Sequence, residues 1–248
     1  MRLAGASAQR RGRAIAAALL LFLAAACSGS GTPATPTATP AGPTATPEPP
    51  GTNLLVNAGF EDGPQPWVTL SAEAGFEITQ EQAHSGSSSA VLRMRDPAEA
   101  QGAKVYYLVQ EIAPQEMPDV VRGYYRVENW HRGTTRQYLQ FVIIAFDPDN
   151  FPSRVSNYQI RYPLAGIDSP PFDIGNAYFV FVTRHDPVVG EWVPFEVHPR
   201  ADFQKYWGQV PEGFSKLRLL FEVRWDGKRA GDGAPSADVY YDDLYAGN

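Results

Sequence analysis

Two stretches decide the fold: NLLVNAGFEDGPQPW from Asn53 to Trp67, and VYYDDLY from Val239 to Tyr245. The first runs into a turn rich in Gly and Pro, and the second combines aromatic residues with two aspartates. Between them, short runs of Val, Ile, Tyr, Phe and Trp alternate with breaks of Gly, Pro, Asp and Asn. This pattern predicts many short strands and no long helix.

The apolar runs are predicted as strands because several of them alternate with period two. They are Ala90–Met94, Lys104–Ile112, Gly123–Trp130, Tyr138–Phe146, Tyr178–Thr183, Glu191–His198, Leu217–Trp225 and Ala237–Tyr245. Strands of this number and length predict a sandwich of two sheets or a barrel. We expect short helical pieces only at Asp96–Gln101 and Ala201–Trp207.

Two segments carry more specific expectations. In Leu217–Trp225 the odd-numbered residues should face the core, and Arg218, Leu220, Glu222 and Arg224 should be mostly exposed. The stretch Asp147–Asn176 has little periodicity and many prolines. It is predicted as a long ordered loop, which either has a functional role or covers a sheet edge.

The N-terminus indicates export. Residues 1–27 combine a basic start with an apolar run, Ala14–Ala26, that is too short for a membrane span. The run ends in LAAAC, which resembles a bacterial lipobox, so we expect cleavage before Cys27 and lipidation of its thiol. The alternative is an ordinary secretory signal with Cys27 as a stray thiol. The expected location is extracytoplasmic, at the cell membrane or cell surface.

The next segment, residues 28–52, is a Pro- and Thr-rich linker that cannot bury a core and is expected to be disordered. Residues 53–248 then form one domain by length. Cys27 is the single cysteine, so a disulfide within the chain is impossible. Four of the 21 basic residues and none of the 27 acidic ones precede Cys27, so the remainder is more acidic than the formal net charge of −6. This acidity argues against nucleic acid as a partner and limits membrane contact to the lipid anchor.

Three motifs together resemble a known family. The opening NLLVNAGFEDG…W, the segment AHSGSSSAVLRM from Ala83 to Met94, and the closing VYYDDLYAG are similar to the jelly-roll carbohydrate-binding modules of the cellulose- and xylan-binding type. These modules belong to the galactose-binding-like superfamily of β-sandwiches. The resemblance implies an all-β jelly roll of two antiparallel sheets that binds a polysaccharide without cleaving it.

The resemblance also implies a structural calcium ion between the first and last strands. Calcium takes six to eight oxygen ligands and mixes carboxylates with backbone carbonyls. Glu61 and Asp242 are the candidate carboxylates, and Asn57, Gly59 and Ser87 are expected to add oxygens, mainly from the backbone. The alternatives are that Glu61 is a surface acid before a turn and that Asp242 is a hydrogen-bonded turn acid.

Sugar recognition in such modules rests on aromatic rings beside polar side chains. Trp67, Trp192 and Trp225 are expected to pack in the core. The candidate ligand-binding residues are Trp130 and Trp207, which lie in polar surroundings, and Tyr124, Tyr138 and Gln140, which are expected on a concave face.

Catalytic motifs are absent from the sequence: the four histidines do not form HExxH, and there is no GxSxG. We therefore expect a binding protein and not an enzyme. A structural or protein-binding surface domain of the same fold is one alternative. A jelly-roll glycoside hydrolase or lyase is another, with carboxylates such as Glu111, Glu128, Glu196 and Glu222 lining a cleft.

Overall fold

The apolar runs form ten strands and one helix in the computed structural model, which describes residues 51–248. The strands are β1 (Phe76–Thr79), β2 (Ser89–Arg95), β3 (Gly102–Ile112), β4 (Val120–His131), β5 (Gln137–Phe146), β6 (Asn157–Ala165), β7 (Ala177–Phe179), β8 (Trp192–Val197), β9 (Lys216–Lys228) and β10 (Ser236–Gly247). Helix α1 spans Pro199–Trp207 and connects β8 to β9. Within the described residues, α1 is too short to cross a membrane.

The strands form two five-stranded sheets. The first sheet has the order β1-β2-β10-β4-β8, and the second has the order β3-β9-β5-β6-β7. Neighbouring strands pair antiparallel, except that β7 runs parallel to β6 at the edge of the second sheet. The predicted all-β, two-sheet sandwich is confirmed, with one parallel pair that the sequence did not predict.

The inner faces of the two sheets share one apolar core. Phe221 of β9 is at its centre, with ring centroids of Phe141, Tyr241, Phe195 and Trp67 between 5.0 and 6.1 Å away. These rings come from both sheets and from the opening motif, so their burial ties all three together. Aromatic pairs at these distances add to the stabilisation that comes from the buried area. Trp67 is buried as predicted.

Two local predictions are settled by backbone and side-chain bonding. The predicted helical piece at Ala201–Trp207 is confirmed as the main part of α1. The one at Asp96–Gln101 is wrong, because this segment is a turn held by the Asp96 carboxylate. That carboxylate accepts hydrogen bonds from Trp225 Nε1 at 2.7 Å and from Lys104 Nζ at 2.7 Å.

Two other sequence predictions are wrong. Asp147–Asn176 is not one long loop, because its middle forms β6, where Ile160, Tyr162 and Leu164 lie in the core. The outward-facing residues of β9 are not exposed, because other side chains cover that face of the second sheet. The side chains that cover the outward residues of β9 form part of the candidate site.

Candidate functional site

The outer face of the second sheet carries buried charges, and we call it the polar face. It consists of Tyr138 and Gln140 from β5 and of Glu222, Arg224 and Asp226 from β9. Tyr138 lies opposite Arg224, and Gln140 lies opposite Glu222, in the register of the two strands. All five residues are at most 9% exposed. Because buried charges are costly unless paired, their bonding decides what this face can do.

Arg224 joins the two carboxylates of the polar face. Its guanidinium bonds to both oxygens of Asp226 at 2.6 and 3.0 Å and lies 3.5 Å from Glu222. Tyr138 donates to Asp226 at 2.8 Å, and Gln140 donates to Glu222 at 2.5 Å. Burial alone would lower the pKa of Arg224, but Tyr138, Glu222 and Asp226 raise it above its usual value. Burial also raises the pKa of Tyr138, so this hydroxyl keeps its proton.

An aromatic side chain lies over the polar face. Phe172, from the segment between β6 and β7, has its ring centroid 5.3 Å from the Arg224 guanidinium and 5.6 Å from that of Arg161. Its ring meets Phe179 of β7 edge-on at 5.5 Å. Arg224 in turn lies 5.5 Å from the ring of Tyr138. Tyr138, Arg224 and Phe172 therefore form a stack that covers this face.

Two polar atoms at this face have unmet hydrogen-bonding capacity. Gln140 Oε1 and Arg161 Nη1 are both buried, and neither has a hydrogen-bond partner among residues 51–248. A buried polar atom without a partner costs about 1–3 kcal/mol. Arg161 is half-buried at the margin of the face, and its Nε donates to Gln159 at 3.0 Å. Gln140 Oε1 is an acceptor and Arg161 Nη1 is a donor, and hydroxyl groups can satisfy both.

Of the candidate ligand-binding residues, only Tyr138 and Gln140 share a face. Both are fully buried, so their contact with a ligand requires displacement of the cover and stays a prediction. The expectation that Tyr124 lies on the same face is wrong, because β4 belongs to the first sheet. Tyr124 stacks on His84 there, with ring centroids 3.6 Å apart, and lines a cavity of about 530 Å³.

The two candidate tryptophans pack against the protein. Trp130 follows a β-bulge at Asn129, whose φ of +53° is left-handed, and its half-buried ring lies against the core. Trp207 is half-buried at the end of α1, where its ring meets those of Tyr158 at 4.9 Å and Tyr178 at 4.7 Å. These contacts give both residues a packing role, and their role in sugar binding stays a prediction.

The candidate calcium residues meet at the turn of residues 84–88. Glu61 accepts hydrogen bonds from the Ser87 backbone at 2.9 Å, the Ser87 hydroxyl at 2.8 Å and the Ser88 backbone at 2.9 Å. Asp242 accepts backbone bonds from His84 at 2.7 Å and Ser85 at 3.2 Å. The two carboxylates therefore hold the same turn through different residues.

The environment of Asp242 suits a cation. Asp242 is fully buried, and burial raises its pKa to about 6. No Lys or Arg forms a salt bridge with Asp242 or Glu61 within residues 51–248. A methyl group on Gly59 would lie 3.8 Å from Asp242 Oδ1, so the backbone of the opening motif approaches this carboxylate. The atoms that contact the Asp242 carboxylate are the backbone N–H groups of His84, Ser85 and Asp243. A buried carboxylate without a cationic partner is a group that calcium binds.

The side chain of Asn57, another candidate calcium ligand, is hydrogen-bonded within the opening motif. The Asn57 side chain donates to the carbonyls of Gly63 and Gln65 at 2.7 and 2.9 Å and accepts from the Asp62 backbone at 3.2 Å. Its backbone carbonyl accepts from Trp67 Nε1 at 2.9 Å. Among residues 51–248, no three His, Cys, Asp or Glu side chains converge on one point. What the structure offers for calcium is therefore two carboxylates, Glu61 and Asp242, that hold the same turn, and not an acidic cluster.

Sequence reasoning missed two features of these sites. One is the buried charge network of β9, although Glu222, Arg224 and Asp226 alternate within an otherwise apolar strand, which was the available signal. The other is the position of the Phe172 ring over Arg224, which depends on the fold of the connection between β6 and β7 and has no local signature.

No protein-family model matches the chain, and no curated protein matches it. Among solved structures, it is similar to TmCBM61 in complex with β-1,4-galactotriose, with 13% identity, a TM-score of 0.43, and coverage of 79% of this chain and 97% of that one. It is also similar to the CBM22-1 xylan-binding domain of Paenibacillus barcinonensis Xyn10C, with 16% identity, a TM-score of 0.40, and coverage of 79% and 94%.

A third likeness is to an arabinose-bound α-L-arabinofuranosidase, MgGH51, with 10% identity and a TM-score of 0.36. It covers 78% of this chain but only 26% of that one. At these identities and TM-scores, none of the three structures identifies a ligand or an activity for this chain.

Proposed function

We propose that this protein binds a glycan without cleaving it, and that the polar face is the binding site. The observation that carries the proposal is a sheet face on which hydrogen-bonding side chains lie among aromatic rings, while Gln140 Oε1 and Arg161 Nη1 lack hydrogen-bond partners within residues 51–248. Sugar sites combine such rings with a few oriented polar groups.

Each group on this face has a distinct role in the proposed binding. Tyr107 of β3 lies opposite Glu222 and is half-buried, so its ring is placed to pack on the apolar face of a sugar ring. Burial raises the pKa of Tyr107, which keeps its hydroxyl protonated. Arg161 donates to sugar hydroxyls and Gln140 accepts from them. Because such sites are weak singly, many copies on one surface would supply the avidity.

The test is retention of the purified protein on a panel of glucans, xylans, mannans and galactans. We expect retention on at least one of them, and at least a tenfold loss of affinity in Arg161→Gln. Arg154→Gln is the matched control, because Arg154 is exposed and lies outside the polar face. Retention that both variants reduce equally would contradict the assignment of this face, and no retention on any glycan would contradict glycan binding itself.

We further propose that a structural calcium ion is held by Glu61, Asp242 and backbone oxygens near Gly59, with Ser87 and Asn57 contributing through the backbone. The ion would supply the positive charge that Asp242 lacks. Glu61 and Asp242 orient the turn of residues 84–88 by accepting its N–H groups. Calcium uptake in calorimetry would support this, and its absence at millimolar calcium would contradict it.

Export and lipid anchoring through Cys27 are proposed from the sequence alone, since residues 1–50 lie outside the described residues. The proposed location is extracytoplasmic, at a membrane or cell surface. In a bacterial host, the protein should partition into detergent and Cys27→Ala should not. Equal partitioning of both forms would contradict lipidation.

Glycan cleavage is a second candidate, because Glu222 and Asp226 are two carboxylates on one face. Both are bonded to Arg224, and each also accepts a side-chain hydrogen bond, so neither presents a free oxygen pair. We expect no new reducing ends when the protein is incubated with its glycan. Reducing ends that disappear in Glu222→Gln would establish an enzyme instead.

A further inference from the structure

Arg161 carries a charge that no carboxylate neutralises within residues 51–248. Its side chain projects from β6 onto the outer face of the second sheet, directly opposite Val142 of β5, which lies on that face. No Asp or Glu of the described residues forms a salt bridge with it, whereas Arg224 is paired with both Glu222 and Asp226. Because burial makes an unpaired charge costly, an anion that binds at Arg161 has an electrostatic advantage.

The guanidinium of Arg161 has a free edge with two donors. Its Nε donates to Gln159 Oε1 at 3.0 Å, so that side of the guanidinium is occupied. Nη1 is buried and has no hydrogen-bond partner in residues 51–248. Nη2 has none in that range either, but it is not buried and reaches solvent. The edge formed by Nη1 and Nη2 is therefore unbonded at both nitrogens and accessible at one of them.

The residues around Arg161 hold this edge in position. The Gln159 amide that accepts from Arg161 donates in turn to Asn157 Oδ1 at 2.8 Å, and Asn176 donates to the same oxygen at 2.9 Å. On another side, the ring centroid of Phe172 lies 5.6 Å from the guanidinium carbon. The guanidinium is thus oriented before a ligand arrives, which lowers the entropic cost of binding.

The surrounding face has more cations than carboxylates. Lys216 and Arg218 of β9 both pair with Glu111 of β3, at 2.8 and 2.6 Å, so two cations share one carboxylate. Over β3, β5, β6 and residues 216–226 of β9, the outward side chains include four cations and three carboxylates: Arg161, Lys216, Arg218 and Arg224 against Glu111, Glu222 and Asp226. The whole chain has a formal net charge of −6. Since salt screens charges beyond about 8–10 Å, the nearby charges decide which ligand is attracted.

Arg161 and Tyr107 are placed to contact one glycan chain. They lie three strands apart in the order β3-β9-β5-β6, which is about 14 Å at the usual strand spacing. Burial and Glu222 raise the pKa of Tyr107, whereas Arg224 and Arg161 act to lower this pKa, so the charge of Arg161 acts across the face. A glycan that crosses the strands can therefore pack one ring on Tyr107 and bring another sugar unit to Arg161.

We propose that the glycan bound at the polar face is acidic, and that Arg161 pairs with the carboxylate of a uronic acid unit. This inference rests on the proposed function and adds the substrate class. A guanidinium and a carboxylate form two parallel hydrogen bonds that are assisted by charge, and the free edge of Arg161 offers both donors. A neutral hydroxyl group can accept a hydrogen bond from this edge but supplies no opposite charge.

The test is calorimetric titration of the purified protein with polygalacturonate, alginate and glucuronoxylan, each compared with the same polysaccharide after reduction of its carboxyl groups to primary alcohols. Reduction removes the charge and keeps the sugar rings and linkages. We expect at least one acidic form to bind at least tenfold more tightly than its reduced form. This ratio should fall when salt is raised from about 50 mM to about 500 mM. Dextran sulfate, compared with dextran, is the probe for a sulfate ester in place of the carboxylate.

Substitutions at Arg161 separate the contribution of charge from that of the two-donor edge. Arg161→Gln should bring the affinities of the acidic and reduced forms within about twofold of each other, because it removes the charge. Arg161→Lys keeps the charge but not the planar pair of donors, so it should retain part of the preference. Arg154→Gln is the matched control, since it removes an exposed positive charge outside the polar face and should leave the ratio unchanged. Urea midpoints verify that each variant is folded.

The proposal is overturned if acidic and reduced forms bind equally, if Arg161→Gln leaves the ratio unchanged, or if dextran sulfate binds and the three uronic acid polysaccharides do not. Equal binding of acidic and reduced forms that Arg161→Gln weakens for both would leave glycan binding at the polar face standing and remove only the acidic preference. Binding to none of the polysaccharides would overturn the proposed function together with this inference.

Discussion

Replacing Arg224 by Met is the most severe test of the polar face, because the Arg224 guanidinium bonds to both Glu222 and Asp226. Methionine keeps much of the side-chain length but removes the charge. The two carboxylates, 3% and 7% exposed, are then left buried without a cationic partner. Removing one partner of a buried ion pair typically costs about 3–5 kcal/mol.

The assay is urea denaturation followed by aromatic fluorescence, which reports on the core tryptophans. With a slope of about 2 kcal/mol per molar urea, a loss of 3–5 kcal/mol lowers the midpoint by roughly 1.5–2.5 M. In a thermal scan, the same loss corresponds to a melting temperature lower by about 6–20 °C for a domain of this size.

A triple variant supplies the control. Arg224→Met combined with Glu222→Gln and Asp226→Asn has no buried charge, so it should recover more than half of the lost stability. The reasoning is refuted if the single substitution costs less than about 1 kcal/mol, because a cost that small is typical of solvent-exposed ion pairs.

Four other predictions test separate parts of the account. Chelation of calcium should lower the melting temperature by several degrees, and Asp242→Asn should lose that response; an unchanged melting temperature in the unaltered protein contradicts the calcium site. Gly166→Ala should lower the free energy of unfolding by about 2 kcal/mol or more, because φ of Gly166 is +104° and the added methyl would lie 2.6 Å from the backbone oxygen of Gln137. The midpoint of denaturant unfolding measures this loss. Trp207→Ala should destabilise by roughly 2–3 kcal/mol, since its half-buried ring packs on two tyrosines; an unchanged midpoint contradicts the packing role. Phe172→Ala should change glycan affinity without changing the urea midpoint by more than about 0.5 M, and unaltered affinity in calorimetry argues against a ligand path beneath this ring.

The sequence predicted the sheets well because strand periodicity is a local signal. Alternation in β9 located Leu219 and Phe221 correctly in the core. Its outward residues were predicted as exposed because alternation shows that two faces differ but not what covers either face. The tertiary fold brings Phe172 over Arg224, and the sequence around either residue does not predict this contact.

The candidate sites were predictable to different degrees. Glu61 and Asp242 came from motifs near the two ends of the domain, and the structure brings both to the turn of residues 84–88. Tyr124 and Tyr138 were assigned to one face, but sheet membership depends on long-range pairing that sequence spacing does not encode. Trp130 was chosen for its polar neighbours in the sequence, but its half-buried ring packs against the core after the bulge at Asn129.

The measurement that tests the central claim most directly is binding of the purified protein to a polysaccharide panel, with Arg161→Gln and Arg154→Gln compared in parallel. Glycan binding at the polar face predicts retention on at least one polysaccharide that Arg161→Gln weakens at least tenfold and Arg154→Gln leaves intact. A folded protein that no polysaccharide in the panel retains would contradict it.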